Sequence, residues 1–171
     1  ESHAASFALL VYASAYLKVH YPAAFYTALL NNQPMGFYHP ASLVKDAQRR
    51  GVQFASIDVQ RSYWSCVVEA DGAIRLGLRY VTGLREEVGR AIEGLQPSAP
   101  GPQIPGPSSQ FPVRFTSIED LIARTGLRRD ELATLAEIGA LNSFGYDRRS
   151  ALWQIERAVR PSGALFEQKS T

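Results

Sequence analysis

Apolar residues crowd the start of the chain: Phe7, Leu9, Leu10, Val11, Tyr12, Tyr16 and Leu17 all fall within its first twenty positions. The run predicts a helix over 3–20 that is apolar almost all round and calls for cover on most faces. Tyr21-Pro22 stops it, because the residue before a proline is pushed out of the helical region. Serines interrupt the run and it is shorter than a bilayer span, so it reads as a buried helix rather than a membrane segment. In an isolated piece of a larger protein, some of its surface is left bare. Pro22 then opens a second helix to about Asn31, and Asn32-Gln33-Pro34 ends it. A turn over 35–39 leads to a third helix that starts at Pro40, runs through Leu43, Val44 and Ala47, and stops at Gly51.

The period then changes. Residues 52–57 read as extended, and 63–69 alternate, with Trp64, Cys66 and Val68 on one face. Asp71-Gly72 is a two-residue hairpin signal before Ile74 and Leu76, which alternate with Arg75. A small antiparallel sheet is expected here. Leu78 and Val81, three apart, suggest one helical turn, and Gly83 lets the chain reverse. From Arg85 the positions Val88, Ala91, Ile92 and Leu95 recur at helical spacing.

Residues 96–112 hold most of the prolines, together with glycines and serines, and read as a linker. Helical pattern resumes at Thr116, which with Glu119 forms a capping box for a helix ending at Gly126. The next helix spans 128–138, with Leu132, Leu135 and Ile138 on one face and Gly139 as its stop. ALNSFGYD then leads to a last helix with Asp147 as N-cap and Pro161 as terminator. The fold class is therefore mainly α with a small antiparallel sheet, a helical bundle plus hairpins. The expected divisions are 1–51, 52–95, 96–114, 115–160 and a tail over 161–171.

The two Gly-centred hairpins carry the candidate chemistry. The amides of Gly83, Leu84 and Arg85 are expected to point out of a helix N-terminus, where a phosphate is well received. Arg79, Arg85 and Arg90 lie close by in sequence. This is the pattern of a helix-hairpin-helix, which holds nucleic-acid backbone without reading bases. An ordinary αα-corner shares the pattern, so both readings stand. The second glycine of the usual G-h-G hairpin is replaced here by Arg85, whose charge can partly compensate. The hairpin around Gly139 reads as a second, degenerate copy.

Composition narrows the choice. With 46% hydrophobic and 20% charged residues the chain is globular, and a net charge of +2 permits a polyanionic partner without requiring one. The lone Cys66 rules out an internal disulfide and suits a reducing cytosol. His3, His20 and His39 are too scattered for a zinc site, and no acidic pair is placed to hold magnesium. P-loop, dinucleotide turn and nucleophile elbow are all missing. Arg128-Arg129 and Arg148-Arg149 read as solvated helix ends that become phosphate contacts if their hairpins face DNA. No catalytic residue and no cofactor is assigned to this chain.

The opening ESHAASFALLVYASAYLKVHYPAAFYTALLNNQPMGFY, with Ser2-His3, Lys18 and Tyr21-Pro22, resembles a segment of the bacterial C-family DNA polymerases. Arg49-Arg50-Gly51, Asp58-Val59, Trp64 and the Gly83 hairpin follow in the family's order. LNNQPMGFYHPASLV, DVQRSYW and LAEIGALNSFGYDRRSALW resemble the error-prone branch most. The resemblance covers nearly everything outside the linker. It implies the end of a fingers domain followed by a duplex-binding helix-hairpin-helix region. The catalytic carboxylates and their magnesium belong to a palm domain expected before Glu1; the chain has no initiator Met and looks cut from something longer. His3 is a candidate for the nucleotide cleft, beside its simpler reading as a buried capping histidine.

The implied partner is primer-template duplex, in the cytoplasm and away from membrane. A competing expectation is protein docking, to a sliding clamp or another mutagenesis subunit, with QFPVRF at 110–115 as the candidate peptide. Salt separates the two, since DNA binding weakens steeply with ionic strength and apolar docking does not.

Overall fold

The computed structural model describes residues 2–36, 38–95 and 115–159. They form seven α-helices, a three-stranded sheet and two short 3₁₀ helices. The chain divides into two compact units: Glu1–Ser56 with Ser65–Gly77, and Ile57–Trp64 with Leu78–Thr171. The sheet thus groups with the first three helices rather than with the hairpin that follows it. The QFPVRF stretch up to Arg114 and the terminator Pro161 lie outside the described residues.

In the first unit α1 spans Ser2–His20, α2 Pro22–Asn31 and α3 Pro40–Arg49. Proline at the first position starts α2 and α3, where the missing N–H costs nothing. His39 caps α3, its Nδ1 accepting from the Ala41 amide at 3.2 Å. Tyr26, Leu30, Leu43 and Ala47 are buried between α2, α3 and the sheet. The rim of this core is polar and tied. Asp46 accepts from the Tyr26 hydroxyl at 2.5 Å and from Lys18 Nζ at 2.8 Å. The Lys18 hydrogen bond, helped by Tyr26, holds the Asp46 carboxyl down at about 2.

Helix α1 is not covered as its sequence demands. Leu9 is 68% exposed and Tyr12 71%, and Phe7, Leu10 and Val11 are also bare. It packs on α2, leaving the apolar surface expected of a helix shaped for further contacts.

The sheet has the order β1-β3-β2, from β1 Phe54–Ala55, β2 Val67–Val68 and β3 Ile74–Arg75. Only β2–β3 is antiparallel; β1 pairs with β3 in parallel, so the sheet is mixed. The Asp71-Gly72 turn accounts for the antiparallel pair, with Asp71 Oδ1 accepting from the Ala73 amide at 3.0 Å. The expected alternation fails on both strands: Cys66 is buried but Val68 exposed. Arg75 is buried too, because Glu69 takes its Nε at 2.5 Å and Nη2 at 3.0 Å while Ser56 O takes Nη1 at 2.7 Å. A fully paired guanidinium can occupy a position that hydropathy assigns to solvent. Asn31 holds the rim of β2 by donating to Cys66 O at 2.9 Å and accepting from Cys66 N at 2.8 Å.

The second unit holds α4 Glu86–Gly94, α5 Ile118–Thr125, α6 Arg129–Glu137 and α7 Arg148–Val159. Its core joins Leu78, Leu84, Val88 and Ile92 with Phe115, Leu121, Leu132, Leu135, Leu141 and Ile155. Helix α5 starts one residue later than expected. Ser117, not Thr116, is its N-cap and accepts from the Asp120 amide at 3.1 Å. Ile138 is 45% exposed, off the α6 face that buries Leu132 and Leu135, because the helix has already ended at Glu137. Among the described residues no helix is long and apolar enough to cross a membrane.

Candidate nucleic-acid interface

The first hairpin begins in the 3₁₀ turn Leu78–Tyr80 and ends at α4. Leu78, Val81 and Leu84 are buried, which pins both arms, while Thr82 and Gly83 stand exposed at the apex. Gly83 adopts a φ of +81°, in the left-handed region that a Cβ disfavours. The Leu84 amide returns to Val81 O at 3.2 Å and closes the turn. Among the described residues, the Thr82 and Gly83 amides have no partner. Leu84 is therefore a buried anchor rather than an outward-facing amide.

Arg85 is the N-cap of α4, and its amide, expected to await a phosphate, already meets an anion. Glu131 Oε1 accepts from Arg85 N and from Arg85 Nε, each at 3.0 Å. Glu131 Oε2 accepts from Arg85 Nη2 at 3.0 Å and from Arg128 N at 2.8 Å. The carboxylate is 2% exposed. Burial pushes its pKa up, but the Arg85 guanidinium and the Arg128 and Arg85 amides override that and hold it at about 2. One side chain thus serves the N-termini of α4 and α6 at once, at the positive ends of both helix dipoles. Arg85 spends its remaining donors on Glu87, at 2.5 Å, and on Gly126 O, at 3.0 Å.

Arg90 is similarly engaged, with Glu86 at 3.3 Å and Glu93 at 3.1 Å, and it lies 5.8 Å from the Trp64 ring centroid. Arg79 is half-buried and its amide donates to Trp64 O at 3.1 Å. The five residues singled out from sequence do come together around one hairpin. Their charge, however, is largely met from within by Glu86, Glu87, Glu93 and Glu131. Glu131 itself escaped notice, since in sequence it is one acidic residue among several in the first turn of a helix. His3 lies elsewhere, on α1 in the first unit, exposed and 4.5 Å from the Phe7 ring.

The second hairpin repeats the plan. Helix α6 ends at Glu137, and Gly139, at φ +78°, leads into buried Ala140 and Leu141, a 3₁₀ turn over Asn142–Phe144, and Gly145 at φ +81°. The Asp147 carboxylate then caps α7, accepting from the Ser150 amide at 2.7 Å. The segment 57–64 braces this hairpin: Val59 N donates to Ala140 O at 3.1 Å and Ser143 Oγ to Asp58 Oδ1 at 2.9 Å. Arg128, Arg129, Arg148 and Arg149 are all exposed around it, and Arg129 pairs with Glu156. Among the described residues, no group of three or more His, Cys, Asp or Glu side chains is placed to hold a metal ion.

A family model described as a helix-hairpin-helix motif matches residues 51–97 and 112–151, about half of the chain. The chain is also similar to proteins named error-prone DNA polymerase. It is 45% identical to that of Alkalilimnicola ehrlichii over 159 residues, 91% of this chain and 14% of the relative. The figure is 44% for that of Pseudomonas paraeruginosa over 172 residues, 98% of this chain and 15% of the relative. For that of an Anaeromyxobacter species it is 45% over 177 residues, 97% of this chain and 14% of the relative. The chain thus spans about one-seventh of the length of these relatives. Since the helix-hairpin-helix match covers half of the chain, the chain belongs to the helix-hairpin-helix family.

Proposed function

We propose that this chain is the duplex-holding part of an error-prone DNA polymerase, gripping primer-template backbone behind an active site that lies elsewhere in the protein. The observation that carries the reading is the pair of Gly-centred hairpins built into one unit. Similarity to error-prone polymerases along nearly the whole chain supports it. The chemistry of the whole protein would be addition of deoxynucleotides to a primer, with magnesium held by carboxylates outside this chain. Its biological setting would be damage-induced mutagenesis and synthesis across lesions. Here the work is residence on DNA, not bond making.

The internal pairing refines the grip. Gly83 and Thr82 offer unpartnered amides at the apex, so these meet the phosphates, and Arg79 and Arg90 of the same hairpin add positive charge to it. Arg85 works through Glu131, as a strut that keeps the apex facing outward. A second reading, docking of a protein partner, is favoured by the bare face of α1. The clamp-peptide form of that reading is weakened by Phe115. Phe115 is fully buried, and the Gln60 side chain takes its N–H at 2.9 Å and its C=O at 2.6 Å.

Fluorescence anisotropy with labelled duplex tests the proposal, run across a salt series on the chain and on a Thr82→Glu/Arg79→Ala variant. Affinity for duplex should fall steeply with salt, and the slope should drop by about one for each phosphate contact removed. A variant that binds as the parent does would remove the hairpin from the interface. No binding at low salt would overturn DNA holding and leave protein docking.

A further inference from the structure

The arginines of the second unit differ in how far their charge is met. Arg85 and Arg90 of the first hairpin are tied to carboxylates, whereas Arg148, Arg149 and Arg157 of α7 form no ion pair among the described residues. Arg149 and Arg157 lie one helical turn to either side of Trp153, the i−4 and i+4 positions that share a helix face. Trp153 is 61% exposed, the largest side chain left bare in this unit, and the Arg157 guanidinium lies 5.2 Å from its ring centroid.

Trp153 lines an open groove of about 720 Å³ between α6 and α7, whose walls include Arg129, Ala133, Arg149 and Leu152. Two carboxylates also border it, and both are occupied. Glu156 pairs with Arg129, and Asp147 accepts from the Ser150 amide and hydroxyl at the start of α7. What remains for a ligand is an exposed indole with an exposed arginine on each side: Arg149, whose charge also helps hold the Asp147 carboxyl below its usual range, and Arg157, which forms no ion pair among the described residues. The two arginines stand about 12 Å apart along the helix axis, so phosphates flanking a base stacked on the indole can each reach one.

We propose that this groove is a second nucleic-acid site, which takes unpaired nucleotides by stacking a base on Trp153 and holding the flanking phosphates with Arg149 and Arg157. Aromatic rings interleaved with basic side chains are how proteins hold single strands without reading sequence. The hairpins, by contrast, offer backbone amides and no exposed ring. A chain with both sites would hold duplex at the hairpin apex and single strand along α7. The choice of nucleic acid over an acidic peptide rests on the DNA-holding function proposed above; the exposed arginines and the bare indole do not.

The experiment measures binding of labelled oligo(dT) and of a blunt duplex to the whole chain and to its Trp153→Ala, Trp153→Phe and Arg149→Ala/Arg157→Ala variants. Thermal unfolding of each variant checks that it folds, which an exposed site should allow. Oligo(dT) affinity should fall ~5- to 100-fold in Trp153→Ala and stay near the parent value in Trp153→Phe. It should lose part of its salt dependence in the double arginine variant. Duplex affinity should hold within about twofold in both Trp153 variants, whereas Thr82→Glu/Arg79→Ala lowers duplex affinity alone. Equal losses on both DNAs in Trp153→Ala would overturn the single-strand site while leaving duplex holding intact. Absence of binding to either DNA would overturn both. Displacement of oligo(dT) by poly-glutamate at equal charge would assign the groove to an acidic protein surface instead.

Discussion

Gly89 lies flat against the ring of Trp64: a Cβ at position 89 would stand 2.4 Å from Trp64 Cε3 and 2.5 Å from Cζ3. Both residues belong to the hairpin's supporting layer, and the indole cannot retreat without disturbing the Arg90 guanidinium beside it. Gly89→Ala should therefore destabilise the chain, although alanine is the better helix former. The helix gain is about 1 kcal/mol and overpacking costs about 1–3 kcal/mol, so a net loss of up to about 2 kcal/mol is expected. A lower urea midpoint checks this; an unchanged or raised midpoint would show that Trp64 moves freely.

Glu131→Gln keeps the size of the side chain but removes its charge. The amide retains one acceptor oxygen for the donors from Arg85 and Arg128 that now share two. The substitution should cost about 1–3 kcal/mol, the range for a charged hydrogen bond made in a buried setting. Chemical denaturation measures it. Equal stability would mean that the carboxylate does not join α4 to α6 energetically.

Acid should expose the same joint. In the folded chain the Glu131 carboxyl sits at about 2, below its ordinary 4.5. A depressed carboxyl favours folding above its unfolded value, and that contribution is lost as pH falls from about 4.5 towards 2. Urea midpoints at pH 7, 4 and 3 should fall steadily in the parent and less steeply in Glu131→Gln. Parallel curves would place the acid sensitivity elsewhere.

A smaller titration probes the first unit. Asp46 owes its low pKa first to Lys18 and then to the Tyr26 hydroxyl. Tyr26→Phe should raise the midpoint of the Asp46 carboxyl from about 2 towards its ordinary 3.8, read by NMR of the carboxyl carbon. A midpoint that stays put would leave Lys18 and Arg50 responsible.

These side chains show where sequence reasoning reached and where it stopped. Prolines 22 and 40 and glycines 51, 83, 126 and 139 mark their boundaries locally, through fixed or left-handed φ, and the structure keeps them as helix starts, stops and turns. Thr116-Glu119 and Ser117-Asp120 both fit a capping pattern one residue apart. Burial of Phe115 decides between them, and no local rule foresees it. The parallel pairing of β1 was hidden for the same reason, since only the antiparallel partner sits across a tight turn. Glu131 was illegible because its meaning lies 46 positions away, at Arg85. Trp153 passed unremarked because an aromatic residue in an amphipathic helix ordinarily faces the core.

Gln60 has a consequence for how this chain tolerates change. A carboxamide carries the donor and acceptor of a peptide group, and Gln60 uses both to seize the backbone of Phe115, 55 positions further on. That grip sets the register at which helical structure restarts, whatever length of chain comes before it. Doubling the length of a connecting segment costs only about 0.6 kcal/mol in closure entropy. The number of residues between Leu95 and Phe115 can thus change without shifting α5 out of step.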